Sequence, residues 1–245
     1  MLKDSQIDLC GQVDFTRTQP LLARNEAFSF ACNGCGDCCR GREDIVLSGF
    51  DLWRIAARLR LPPRTVARAF CRESIGRVSR LPVLRLAPLK EQHNNCPFLT
   101  GNHCAIHDAE PLVCALYPLA QEISREGKVS YFLQPTSCGG PLFSAKVEDY
   151  LTRYDVPARE AVDVCWAQTC MGLEDTVEEL TAVLSSVLAR RLEQKLWQAL
   201  YYDYDFAELF LPQLERNLHW LEGECAKLRA YQERLNAKCI EKNDG

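Results

Sequence analysis

The chain has 245 residues, ordinary apolar and charged content, and a net charge of −4. That balance offers no basic surface for nucleic acid or for an anionic membrane. No apolar run reaches the roughly 18 residues that would span a bilayer, and the start MLKDSQIDLCGQVDF lacks a secretory signal pattern, so a cytoplasmic protein is expected.

Residues 1–27 read as an N-terminal arm of mixed, poorly periodic sequence. A cysteine loop at 32–39 follows, and Ile45–Leu47 fits a short strand. Ser48 with Asp51 has the capping-box pattern, opening a helix through Trp53, Ala56 and Leu59. Pro62 and Pro63 stop that helix and start another over Arg64–Cys71. Pro82, Pro88 and Pro97 preclude a long helix next, leaving a short strand at Val83–Leu86 and a turn with a short helix over Ala105–Ala115. Leu119–Ser124 and Val129–Gln134 flank Gly127 as a β-hairpin, and 136–141 reads as a loop. From about 142 the sequence turns helical: one long helix marked by Val177, Leu180, Leu184 and Val187 reaches Leu200. Tyr201–Asp205 interrupts it as a helix-end packing cluster, and Asp205 with Glu208 repeats the capping-box spacing. Pro212 then starts a segment whose Leu214, Leu218, Leu221, Cys225, Leu228 and Leu235 keep a 4–3 rhythm, predicting two long antiparallel helices. The expected fold is α+β, predominantly α: a cysteine-cluster metal-binding domain at 28–142 with a small antiparallel hairpin, and a helical region at 143–245 ending in a helical hairpin.

Fourteen cysteines in a chain with no export signal point to metal or redox chemistry rather than a disulfide scaffold. Cys32, Cys35, Cys38 and Cys39 fall within the run CNGCGDCC. Closely spaced thiolates suit a soft metal ion or an iron–sulfur cluster, and Gly34 and Gly36 let the loop wrap tightly. Cys96, Cys104, Cys114 and Cys138 follow at wider intervals. They cannot all serve one tetrahedral ion, so either two metal sites exist or one cluster sits beside spare thiols. The Cys-x2-Cys-x2-Cys rhythm with a distant Cys-Pro favours an iron–sulfur cluster over zinc, since structural zinc more often uses two separate Cys-x2-Cys knuckles.

These residues resemble the YkgJ-like proteins, the zinc- or iron-chelating CxxCxxCC family whose domain also occurs in flagellin lysine N-methylases. The resemblance rests on Cys32-x2-Cys35-x2-Cys38-Cys39, Asp51, Cys96-Pro97-Phe98-Leu99, Cys104-Ala105-Ile106, Glu110-Pro111, Cys114, Tyr117-Pro118 and Cys138-Gly139. It covers about residues 28–142 and implies that Cys32, Cys35, Cys38, Cys39, Cys96, Cys104, Cys114 and Cys138 are the metal ligands. Where the family reads C-x-I-Y, R-P and C-R, this chain has His107, Glu110 and Ala115. His107 is either an added ligand or, as favoured here, the occupant of the aromatic slot. The resemblance also raises a protein-lysine N-methylase, with S-adenosylmethionine as donor and a protein substrate, although no Gly-rich strand–turn–helix motif for that cofactor is present. A third reading is an adaptor that binds a partner protein through its helices while metal rigidifies the head.

The remaining candidates have plain structural readings. Cys10, Cys71, Cys165 and Cys170 are expected to pack as small apolar residues, and Cys225 and Cys239 to lie in the helical seam. His93 and His103 flank two of the cysteines in loops, and Asp44 is a polar neighbour of the cysteine run.

Overall fold

The computed structural model describes residues 19–136 and 140–243, with the side chains of 140–144 and 239–243 left aside. Cys10 and Cys138 therefore lie outside the described residues, as does the Cys239 side chain.

The first half is built from short strands and short helices. β1 (Ala27–Ala31) leads into the cysteine loop, and β2 (Val46–Leu47) leads out of it into α1 (Gly49–Leu59). Ser48 caps α1 as its sequence predicts: its Oγ accepts from Asp51 N at 3.0 Å, and Asp51 Oδ2 accepts from Ser48 N at 3.0 Å. Pro63 opens α2 (Pro63–Phe70), which runs directly into β3 (Cys71–Ile75). β4 (Pro82–Leu86) pairs with both β2 and β3. β5 (Leu99–Thr100) and β6 (His103–Cys104) form a two-residue hairpin, followed by the short helix α3 (Leu112–Leu116). β7 (Leu119–Ile123) and β8 (Val129–Leu133) make the predicted hairpin, with Gly127 at φ 81° in its turn. Every strand pairing among the described residues is antiparallel. The fold is α+β and mainly α, as expected.

Four expectations are corrected beyond residue 136. The segment expected to turn helical near 142 is first a strand, β9 (Gly140–Lys146), paired with β1. Only the open edge of β1, far upstream, makes that segment a strand. Helix therefore begins later than expected, at α4 (Val147–Arg153), and continues as α5 (Val156–Val183). The expected continuous helix to Leu200 breaks at Leu184 and Ser185, whose ψ angles of 142° and 157° are extended. Tertiary contact supports the break, because Ser185 N donates to Gln232 Oε1 at 2.8 Å. α6 (Ser186–Trp197) follows, closed by a π-helical turn at Gln198–Tyr202, and α7 runs from Phe210 to Asn243. Asp205 forms no capping box: its Oδ1 accepts from Ala207 N at 2.8 Å, while Gln213 Oε1 accepts from Asp205 N at 2.7 Å.

α6 and α7 form the antiparallel hairpin, tied by Lys195–Glu224 at 3.1 Å and by the Ser185–Gln232 bond, and α5 adds a third helix. The α7 seam buries Leu214, Leu221 and Leu228, with Leu218 and Cys225 half-buried against them. Burial ends at Leu235, beyond the Ser185–Gln232 contact, so the 4–3 rhythm outlasts its partners. The Tyr201–Asp205 cluster packs as predicted: Tyr201 lies edge-on to Trp166, and Tyr204 stacks on Phe210. Among the described residues no helix is long and apolar enough to cross a membrane.

One continuous core joins the two halves. Leu47, Leu52 and Ile55 from the cysteine half pack with Trp166, Leu196 and Leu200 from the helices. α1 enters this core so closely that a Cβ on Gly49 would stand 2.3 Å from the Leu200 carbonyl oxygen and 2.6 Å from the Trp166 ring. Neither neighbour can yield cheaply, since one is backbone and the other a buried indole. Gly49→Ala is therefore expected to destabilise the protein by about 1–3 kcal/mol. Urea unfolding of the variant beside wild type measures the shift in midpoint.

Candidate metal centre

The cysteine loop is shaped by two left-handed glycines and one arginine. Gly34 and Gly36 have φ of 69° and 73°, a region open to glycine at no steric cost. Gly36 also lies against Asn102, whose backbone would be 3.3 Å from an added Cβ. Asp37–Cys39 form a 3-10 turn in which Cys39 N donates to Gly36 O at 3.0 Å. The Arg40 guanidinium then donates to the Cys35 carbonyl, to Asn102 Oδ1 and to the Gly101 carbonyl. One side chain thus staples the first cysteine run to the β5–β6 turn.

Past the turn, the chain zips onto residues 94–96. Cys96 N donates to Cys39 O at 2.8 Å and Gly41 N to Asn94 O at 3.0 Å, with Arg40 opposite Asn95. Opposed residues of an antiparallel ladder share a face, so this register sets the Cys39 and Cys96 thiols side by side. They hydrogen-bond to each other, and Cys39 also bonds to Cys38. β6 contributes Cys104 and α3 contributes Cys114.

The result is a cavity of about 470 Å³ lined by Cys32, Cys38, Cys39, Cys96, Cys104 and Cys114. Thiols from both parts of the sequence meet there. Cys35 does not line it; Arg40 grips its carbonyl instead. Among the described residues, no three His, Cys, Asp or Glu side chains are drawn together closely enough to hold an ion. The thiols surround a space instead of forming a finished tetrahedron.

The opposite wall carries Phe30, Tyr117, Tyr150 and Tyr154. His103 and His107 stand at its rim, whereas His93 does not reach it. His107 fills no aromatic slot: its side chain is 67% exposed, and Nδ1 lies 3.2 Å from Glu110 Oε2. The two residues that stand where the resembled family has tyrosine and arginine therefore pair with each other. Asp44 holds Arg42, another wall residue, through a two-point ion pair at 2.5 and 3.0 Å.

Without a cation the thiols resist ionising together. The Cys39 hydrogen bond draws the Cys96 thiol below its usual range despite burial. Cys39 is pulled down by Cys38, but its bond to Cys96 and burial outweigh that and raise it to about 11. The bond to Cys39 and burial push Cys38 up, while burial raises Cys104 and, most strongly, Cys114. Cys71 stands apart from the cavity on β3, and burial raises it to about 12. A soft cation would replace the thiol protons and relieve the repulsion between thiolates, so the donor set fits a thiophilic metal.

The position of Cys114 depends on Asp51. α3 has five residues and a proline N-cap with no capping side chain. Its first amide, Leu112 N, donates instead to Asp51 Oδ1 at 3.0 Å. Asp51 is 2% exposed, and its Oδ1 also accepts from Arg159 Nη2 at 2.6 Å. The capping-box reading of Asp51 is correct but incomplete.

Residues 31–139 match the family model CxxCxxCC, whose description is "Putative zinc- or iron-chelating domain". The chain carries a CxxCxxCC domain. The match spans less than half of the chain and stops before α4 and α5, so Tyr150, Tyr154 and Arg159 lie outside it. Comparisons with curated proteins and with solved structures return no match. Sequence reasoning missed Arg40 and Arg159. Arg159 carried one faint signal, the i, i+4 spacing to Asp163.

Two outcomes follow for the metal-free CxxCxxCC domain. At neutral pH, iodoacetamide should label Cys96 before Cys39, Cys104 or Cys71, because the thiolate reacts and only Cys96 is shifted downward. Metal affinity should climb from pH 6 to pH 8, since raised thiols must lose protons to bind. Peptide mapping of the label and metal titration at each pH check the two.

Proposed function

We propose that the protein is a cysteine-ligated metalloprotein whose CxxCxxCC domain holds an iron–sulfur cluster. One observation carries this reading: Cys38 and Cys39 converge with Cys96, Cys104 and Cys114 on a single cavity of about 470 Å³. Thiols gathered from four separate chain segments around one space are suited to a thiophilic group and to little else. The volume supports a cluster, because a lone tetrahedral ion needs sulfurs only about 3.5–4 Å apart around a metal–sulfur bond near 2.3 Å. The Cys-x2-Cys-x2-Cys spacing supports it as well.

In this reading Cys38, Cys39, Cys96, Cys104 and Cys114 are the inner ligand pool. Cys32 at the mouth, Cys35 and Cys138 make up the rest of the eight-cysteine set. The cluster would supply electron-transfer capacity or structural cross-linking. The chain's own contribution is a thiol-lined cavity fixed by the Arg40 staple and the 39–96 ladder.

Anaerobic purification with metal analysis and a visible spectrum tests the proposal. The expected result is iron with inorganic sulfide and broad absorption near ~400 nm from thiolate-to-iron charge transfer. Colourless protein with stoichiometric zinc would overturn the cluster, and metal-free protein would overturn chelation itself. Cys39→Ser should lose metal, since a hydroxyl ionises poorly and ligates soft metals weakly. Cys225→Ser, in the helical seam, should keep its metal and cost about 1–3 kcal/mol in packing. Cys35→Ser should be weaker in effect than Cys39→Ser, because only Cys39 faces the cavity.

A further inference from the structure

Besides the apolar core, α5 reaches the metal-binding half through a buried ion pair to Asp51. Arg159 lies on α5, beyond the residues that match the CxxCxxCC family. Its side chain is 6% exposed and is committed to two carboxylates. Nη2 donates to Asp51 Oδ1 at 2.6 Å and to Asp163 Oδ1 at 2.8 Å, and Nε donates to Asp163 Oδ2 at 2.7 Å. The Phe50 ring covers the guanidinium at 5.3 Å.

Asp51 passes this constraint on. Its Oδ2 takes both polar groups of Ser48, fixing the start of α1. Its Oδ1 takes Leu112 N, fixing the start of α3 two residues before Cys114. A five-residue helix cannot hold itself together, so its direction depends on that contact, on Arg54, which donates to the Asp108 and Glu110 carbonyls just before it, and on side-chain packing. Burying a carboxylate costs heavily unless a cation stands against it. The cation is Arg159.

We propose that Arg159 is a positioning residue of the metal centre: through Asp51 it orients α3 and holds the Cys114 thiol at the cavity wall. On this view the C-terminal helices are part of the chelating unit, and the family-matched segment does not set its own ligand geometry. This rests on the metal-binding reading only for the cobalt experiment below. The thiol experiment stands without it.

The test uses the full chain, first metal-free. Arg159→Met keeps the length of the side chain and removes its charge and donors. Arg159→Lys keeps the charge with poorer geometry. Leu188→Ala opens a cavity elsewhere in the same core and serves as the destabilised control. Iodoacetamide labelling is followed by peptide mapping at Cys114 and at Cys170, the latter 1% exposed on α5. Arg159→Met should speed labelling of Cys114 at least tenfold while Cys170 stays protected, with Arg159→Lys intermediate and Leu188→Ala like wild type at Cys114. Wild type and the folded variants are then titrated with cobalt(II), whose d–d bands report thiolate geometry. Arg159→Met should bind at least tenfold more weakly with a shifted band.

Equal acceleration at Cys114 and Cys170 would mean global loosening and would overturn the proposal. So would wild-type protection of Cys114 in both arginine variants. If Arg159→Met does not fold, the Arg159→Lys and wild-type pair decides by the same ratio of Cys114 to Cys170 labelling. A wild-type chain that binds no cobalt would count against metal chelation, and the thiol ratio would still decide the role of Arg159.

Discussion

Asp51 carries a buried negative charge that the start of α1, the start of α3 and Arg159 share between them. Burying such a charge alone costs several kcal/mol, so each partner is a condition for the others. The guanidinium in turn needs Asp163, which occupies its second edge. A buried triad of this kind adds little net stability against a well-packed apolar replacement, yet loss of one member costs about 3–5 kcal/mol because a charge is stranded. Its value lies in direction. Three helices from different parts of the chain can meet in only one way if all of these bonds are to form.

The cavity sits on the far side of that junction and follows a different logic. Its walls are held by backbone bonds and by Arg40, while burial raises the Cys38, Cys39, Cys104 and Cys114 thiols of its lining and Cys39 draws Cys96 down. A chain folded only for its own stability would gain more from apolar residues there. In the proposed metal-bound state a cation would replace these protons, which would couple metal loading to pH. The cysteines outside the cavity show the contrast. Cys170 is fully buried in the apolar core and Cys225 half-buried in the seam, where each packs as a small apolar side chain.

Local signals in the sequence translated directly into structure where the physics is local. Ser48 with Asp51, Pro62 with Pro63, and Gly127 each act over a few residues, and each produced its cap, stop or turn. The break at Ser185 and the strand at Gly140–Lys146 had no such signal. The first depends on Gln232 and the second on the edge of β1, and neither partner is near in the chain. His107 is a similar case: the family resemblance put it in an aromatic slot, but it stands exposed beside Glu110.

For the site the division is equally physical. By itself the sequence pointed to thiophilic chemistry, because clustered thiols such as those of CNGCGDCC suit soft metal ions whatever the fold around them. It also determined the mainly helical α+β class through periodicity and proline placement. Only the tertiary structure decided that Cys39 lies opposite Cys96, that Cys39 but not Cys35 lines the cavity, and that Arg159 reaches Asp51 across 108 residues. Such pairings arise from ladder register and from the demand that every buried charge find a partner, and both exist only once distant segments share one core.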